Sequence, residues 1–158
     1  MAYDFRNRLK DLDAPVITFE QVSKEYQKGY SAINNINLQI RKGEFVFIVG
    51  SSGSGKSTMI KLMLKEIEPT SGKIYINYKD LSKLKRNQIA KYRRSIGVVF
   101  QDFRLLKDRN VYENVAFAQR VIGMPGSMIR RQVPAILSVM GLADKYKALP
   151  GQLSGGEQ

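Results

Sequence analysis

Gly50-Ser51-Ser52-Gly53-Ser54-Gly55-Lys56-Ser57 has the spacing G-x-x-x-x-G-K-[ST]. The chemistry open to such a run is the gripping of phosphate. Glycines let successive backbone N–H groups turn toward one anion, and a helix starting at the end of the loop adds the positive end of its dipole. An amine at Lys56 would reach the β- and γ-phosphates, and the Ser57 hydroxyl would ligate Mg²⁺. A chance glycine loop shares the letters but not the flanks. Here Phe45-Val46-Phe47-Ile48-Val49 is apolar at every position, as expected of a strand buried on both faces of a parallel sheet. Met59, Ile60, Leu62, Met63, Leu64 and Ile67 follow, mostly on one broad face of a helix starting near Ser57. Buried strand, glycine loop and apolar helix, in that order, imply a nucleoside triphosphate site.

Other elements must hold this one in place. Residues 1–14 form a short charged arm, with Tyr3, Phe5, Leu9 and Leu12 as a weak apolar stripe on a fraying terminus. The spacing predicts strands at 16–22 and 36–40, joined to the apolar run by a turn at Arg41-Lys42-Gly43-Glu44. Pro69-Thr70-Ser71-Gly72 ends the first helix, and 73–78 reads as another strand. Residues 83–94 are basic and helical, and Ile96-Gly97-Val98-Val99-Phe100 reads as a second buried strand. Beyond it the chain turns helical. Asn110 caps a helix to about Ile122, and Gly123-Met124-Pro125-Gly126 breaks it. Ser127 caps the next helix, which runs to about Met140 with Gly141 as its stop; Pro134 inside it predicts a kink or a delayed start. No internal repeat is visible.

Composition narrows the chemistry. The 158 residues, 43% hydrophobic and 25% charged, suit one domain with a core. Cysteine is absent, which excludes a disulfide framework and suits a reducing compartment. Histidine is absent too, which excludes a histidine general base and most zinc sites. Lys plus Arg is 26 against 14 acidic residues, a net +12 that favours polyanionic partners. No nucleic-acid-binding motif accompanies it, so the excess reads as a basic surface that faces anionic lipid or stays solvated. No run reaches the roughly 18 apolar residues of a membrane span, and the N-terminus lacks the apolar stretch of a secretory signal.

Two further motifs complete an order. Phe100-Gln101 follows a predicted strand, and a helical stretch ends in Leu153-Ser154-Gly155-Gly156-Glu157-Gln158. With the loop at 50–57, residues 15–158 resemble an ABC-type ATPase. The resemblance implies an α/β fold, a P-loop NTPase of the ABC nucleotide-binding kind. An antiparallel β subdomain with the loop and glutamine core would occupy about 15–103, and a helical subdomain about 104–158. It also assigns roles. Gly50, Ser51, Ser52, Gly53, Ser54, Gly55, Lys56, Ser57 and Thr58 would hold ATP, with Lys56 and Gln101 acting in catalysis and Ser57 and Gln101 at Mg²⁺. Tyr26 would stack on adenine, although an ordinary strand-end tyrosine looks the same. Ser154, Gly155 and Gly156 would close on the γ-phosphate held by a second copy, head to tail; otherwise they are a surface turn.

The family continues past this motif with a helix, an apolar strand ending in Asp-Glu and a switch histidine. The resemblance therefore implies that the chain is truncated at its C-terminal side and lacks part of the core sheet. As it stands it is expected to bind ATP poorly, to hydrolyse none at a useful rate, and to leave sheet edges and apolar faces uncovered.

The stretch Phe100–Ala116, FQDFRLLKDRNVYENVA, is similar to the cell-division branch of the family, the FtsE type. That implies an integral membrane partner of the FtsX type docking near Gln101–Asn110, a peripheral place on the cytoplasmic membrane face, and activation of peptidoglycan hydrolases. The alternative is the ATPase of a lipoprotein or macrolide exporter. A soluble family member of translation or repair would need a second cassette or a coiled-coil insertion, and residues 102–152 show neither. A nucleotide-binding module without turnover is the third reading.

Overall fold

Val16-Ile17-Thr18-Phe19 opens the strand on which the first half of the chain is built. In the computed structural model, which describes residues 14–27 and 29–158, β1 runs Pro15–Gln27 and pairs antiparallel with both β2 (Tyr30–Arg41) and β3 (Ser71–Ile76). A short β4 (Lys79–Asp80) adds to β3, giving the order β2-β1-β3-β4. The arm and its Tyr3, Phe5, Leu9 and Leu12 lie outside the described residues.

One irregularity sets the core. Phe19 and Val22 are both buried, at 1% and 0% exposure, although strict alternation would send them to opposite faces. The register shifts between them, and Gln21 takes a left-handed φ of 49° while its N–H donates to the Asn37 side chain at 2.9 Å. The bulge turns Val22 back to the face that Phe19 occupies. Ile33, Met59, Leu62, Leu64, Ile74, Ile76, Leu81 and Tyr92 are the other buried apolar residues described in this unit.

α1 (Lys56–Met63) packs on β2. It ends well before the expected breaker at Pro69. Lys65 adopts a left-handed φ of 53°, and side chains of α2 (Arg86–Arg93) take the last carbonyls of α1. Arg93 donates to Leu64 O at 2.8 Å and Lys65 O at 3.0 Å, and buried Tyr92 donates to Met63 O. Helix ends leave orphan carbonyls, and these three donors satisfy them. The strand expected at 73–78 begins earlier, at Ser71. Asn77 and Tyr78, at φ 49° and 63°, form the turn into β4 instead.

Two expectations fail outright. Phe45–Val49 belongs to no sheet, and its residues are 83%, 44%, 78%, 39% and 86% exposed. Ile96–Phe100 likewise forms no strand, and Val99 is 96% exposed. Neither run has a ladder partner among the described residues, and an extended segment becomes a strand only when its N–H and C=O groups are paired. The apolar faces expected to lie uncovered do lie uncovered.

Residues Arg94–Gln158 form a second compact unit, separate from the unit ending at Arg93. α3 (Val111–Val121) starts where expected, with the Asn110 side chain accepting from Glu113 N–H at 2.8 Å. α4 (Gly126–Val139) starts before Ser127, with Pro125 at its N-cap, and runs through Pro134 without a delayed start. Gly141, at φ 70°, follows its end. Val111, Ala116, Ile129, Val133 and Leu137 form this unit's core, and Leu153 packs against it. The first N–H groups of α3 donate to carbonyls of the returning segment, Val111 to Ala148 at 2.9 Å and Tyr112 to Tyr146 at 3.0 Å.

Candidate functional site: two glycine turns and a groove

The first turn is residues 50–57. Lys56 curls back into the loop, its ammonium donating to Gly50 O and Ser51 O at 2.7 Å each and to Ser54 Oγ at 3.4 Å. The loop is thus curved around a cation. Gly55 caps α1 at φ 92°, and a Cβ there would run into the Ala32 carbonyl oxygen of β2. Glycine at this position lets the helix start against the sheet. α1 has no capping side chain and no acidic residue in its first turn, so neither a cap nor a first-turn carboxylate compensates the positive end of its dipole. Thr58 is buried on that turn, while Ser57 is exposed.

The structure brings Tyr26 to this loop. Its hydroxyl lies 3.2 Å from Thr58 Oγ1, its ring is 49% exposed, and the Lys24 ammonium sits 5.7 Å from the ring centre. An aromatic face beside the first turn of α1 is what a base bound above the loop would need.

The second turn is Ser154-Gly155-Gly156, in the other unit. Half-buried Leu153, packed against this unit's core, anchors its start, and Gln158 Nε2 donates to Pro150 O at 3.0 Å. Ser154 N–H and Oγ both donate to Glu157 Oε2 at 2.8 Å, and Glu157 is also paired with Lys145. The Lys145 hydrogen bond, followed by the Ser154 donors, holds the Glu157 carboxyl down at about 2. Gly155 and Gly156 have no positive φ, and a Cβ on either would meet nothing.

Gln101 is exposed in the turn that opens the segment 101–110. Phe103 and Arg104 follow at φ 52° and 49°, a left-handed pair that costs about 1–3 kcal/mol per residue and concentrates at functional sites. The Arg104 guanidinium stacks 3.6 Å above the Phe100 ring. Asn114 holds the rest of the segment: its Oδ1 accepts from Leu106 N–H at 2.8 Å, and its Nδ2 donates to Leu106 O, Arg109 O and Asn110 O at 2.9–3.1 Å. A groove of about 810 Å³ opens here, lined by Phe103, Arg104, Leu105, Leu149, Pro150 and Gln158 among others.

Residues 33–158 match the ABC transporter family. The chain belongs to that family. It is 50% identical over 143 residues to the cell division ATP-binding protein FtsE of Bacillus subtilis, and 46% identical over 143 residues to FtsE of Escherichia coli K12. Each match takes in 90% of this chain but only 63–64% of the relative, so the chain spans a little under two thirds of the length of these proteins. Among solved structures it is similar to the dimeric ABC transporter cassette MJ0796, at a TM-score of 0.79 and 36% identity over 89% of this chain and 64% of that one. One MJ0796 dimer is a post-hydrolysis state bound to ADP and Pi.

In this ABC chain the glycine loop, Tyr26 and the Thr58 turn come together in the first unit, while Gln101 and the Ser154 turn belong to the second. Sequence reasoning missed Asn114, Lys145 and Glu157. Asn114 sits four residues after the cap Asn110, the spacing at which a helical side chain reaches back over the preceding turn, and that signal was readable. Lys145 and Glu157 are twelve apart with no periodic relation, so only the fold pairs them.

Proposed function

We propose that the chain is the ATP-binding part of a cell-division ATPase of the FtsE type, acting as a head-to-tail homodimer beneath an integral membrane partner of the FtsX type. Residues 50–58 of one copy hold the triphosphate, with Lys56 at the β- and γ-phosphates and Tyr26 against the adenine. Ser154, Gly155 and Gly156 of the second copy close on the γ-phosphate. Residues 104–158 act as the helical subdomain that presents this turn. Water attacks the γ-phosphorus in line, the bond to the β–γ bridging oxygen breaks, and ADP and phosphate leave. Loss of that phosphate removes the bridge between copies and opens the dimer. Through the membrane partner, the cycle is coupled to peptidoglycan hydrolases at the division site.

The observation that carries the reading is the pair of unconstrained glycines. Nothing within this fold requires glycine at 155 or 156, since both have ordinary φ and open space where a Cβ would stand. A ligand approaching the backbone from outside does require it. The curved, lysine-filled loop at 50–57 supplies the complementary half. The dimeric MJ0796 cassettes and the FtsE relatives support the assembly and the branch.

The donor set fits Mg²⁺. A phosphate-bound magnesium keeps several waters and asks the protein for one or two oxygens, and the Ser57 hydroxyl in the first turn of α1 would supply one. Among the described residues no group of three acidic or other metal-binding side chains offers a competing site. Bound there, the ion would neutralise charge on the phosphate oxygens. Gln101 positions the attacking water.

The groove at 102–107 and 149–152 receives the partner, its apolar floor and strained Phe103–Arg104 rim suited to a helical element. No helix among the described residues is long and apolar enough to cross a membrane. The net +12 favours a place against anionic lipid.

The test is phosphate release, with ATP and Mg²⁺, by a chain of the FtsE relatives' full length, because these 158 residues are expected to hydrolyse none at a useful rate. Lys56→Ala should lower it by about 100-fold or more, and Gly155→Val should abolish nucleotide-driven dimerisation without changing the melting temperature. Activity of Lys56→Ala within twofold of wild type, or an undiminished Gly155→Val dimer, would overturn the reading.

A further inference from the structure

Ser154 already holds an anion. Its backbone N–H and its hydroxyl both donate to Glu157 Oε2 at 2.8 Å, and Lys145 Nζ donates to Oε1 of the same carboxylate. An amide, a hydroxyl and an ammonium therefore converge on one acidic group. They come from two segments: Lys145 closes the short 3-10 helix Ala143–Lys145, and Ser154 follows Leu153, which packs on the core of this unit. The arrangement lies at the surface, with the Lys145 and Glu157 side chains 45% and 30% exposed. The adjoining Gly155 and Gly156 leave room for something larger than a carboxylate. Backbone N–H, hydroxyl and ammonium are also the donors that a phosphate oxygen selects.

We propose that Glu157 is an internal stand-in for the γ-phosphate of a second copy, and that Lys145 is a further phosphate-binding residue, released to the nucleotide when that phosphate displaces the carboxylate. This rests on the reading that the Ser154 turn meets the nucleotide of a second copy. The exchange is one anion for another. The Glu157 carboxylate must give up both Ser154 donors and its ammonium partner, and the incoming phosphate takes all three. Free phosphate would have to compete unaided against an anion tethered three residues away. A γ-phosphate fixed in the loop of another copy arrives already oriented, so the turn discriminates in favour of bound triphosphate. Glu157 is ionised throughout the neutral range, so the stand-in is always charged when the nucleotide arrives.

The experiment follows dimer formation of the gene product by analytical ultracentrifugation, titrating a non-hydrolysable β,γ-imido ATP analogue with Mg²⁺. Glu157→Gln removes the competing charge and should lower the half-saturating concentration by roughly 3- to 30-fold. Lys145→Met should raise it by a similar factor, and should still do so in the Glu157→Gln background. Ser154→Ala is the reference, and should raise it as well. Both Lys145 and Glu157 are surface side chains, and circular dichroism melts check that each variant folds. If Ser154→Ala weakens dimerisation while Glu157→Gln leaves it unchanged or weaker, the stand-in is overturned and the reading of the turn survives. If Lys145→Met is silent once Glu157 is Gln, Lys145 only neutralises Glu157 and its phosphate role falls. If neither Ser154→Ala nor Glu157→Gln moves the curve, the turn does not meet nucleotide and both ideas fall together.

Discussion

β1 and the run Phe45–Val49 are written in the same alphabet and meet opposite fates. The opening Val16–Phe19 of β1 and the run Phe45–Val49 are both rich in Val, Ile and Phe. In β1, Phe19 and Val22 are almost wholly buried; in the other run, Phe45 and Val49 are more than four fifths exposed. The difference is the ladder. β1 lies between β2 and β3 and pairs with both, so its backbone groups are satisfied and one face is covered. Phe45–Val49 has no such neighbour among the described residues, and Phe45 and Phe47 meet each other edge to face, with ring centres 4.9 Å apart. Apolar β-branched sequence states a wish to be buried in a sheet; the partner strand grants it.

The contrast can be broken or sharpened by substitution. The largest effect belongs to Phe19→Ala, which opens a cavity in a fully covered site and should cost about 3–5 kcal/mol in a denaturant titration. A cost below about 1 kcal/mol would mean that the sheet does not cover that face in solution. Next comes Asn114→Ala. The segment 106–110 is irregular, yet unlike 45–49 it has a substitute for a ladder in the Asn114 amide. Removing that amide leaves the Leu106 N–H and the Arg109 carbonyl without their partner, while Leu106 O and Asn110 O keep backbone donors, and should cost about 1–3 kcal/mol. Hydrogen exchange at Leu106 N–H should quicken in the same variant; unchanged exchange would show that another group holds the segment.

The turn at Ser154 has a substitute of its own, the Glu157 carboxylate, and acid should dissolve it. The folded carboxyl is held at about 2, below its ordinary 4.5, chiefly by Lys145 and then by the Ser154 donors. A depressed carboxyl stabilises above its unfolded value and loses that contribution as pH falls. The contact should therefore be intact above about 4.5 and fade from there down through about 2. A carbon-detected NMR titration of Glu157 should show a midpoint well below 4.5, and Lys145→Met should move it upward. A midpoint that stays at the ordinary value would show the pair to be absent in solution.

The smallest effect on stability belongs to Phe47→Ala, within about 0.5 kcal/mol, because the side chain is already in water. Its consequence is elsewhere. Exposed apolar extended segments invite edge-to-edge association, so the Phe45→Lys, Phe47→Lys double variant should show less concentration-dependent light scattering than the parent chain. Equal scattering would place the adhesive surface on another part of the molecule.

Much of the molecule was readable because its signals are local. The G-x-x-x-x-G-K-S spacing places Lys56 at the start of α1, since glycine geometry and a helix start act over a few residues. Asn110 declared itself as a cap for the same reason. Local rules misplaced ends where distant side chains intervened: α1 stops early because Tyr92 and Arg93 come to its carbonyls from a later helix. They also failed at Ser127, where Pro125 began α4 instead. The bulge at Gln21 was not foreseen, because it depends on Asn37 in the neighbouring strand.

By itself the sequence determined the G-x-x-x-x-G-K-S loop, the start of α3 at Asn110, the paired glycines at 155 and 156, and the family membership that their order implies. Each depends on dihedral freedom, caps and spacing that a short stretch of chain carries with it. Tertiary structure alone decided which apolar runs became strands, that Tyr26 lies beside Thr58, and that Lys145 meets Glu157 over Ser154. Those outcomes require groups far apart in sequence to come within hydrogen-bond range, and only the closed chain brings them there.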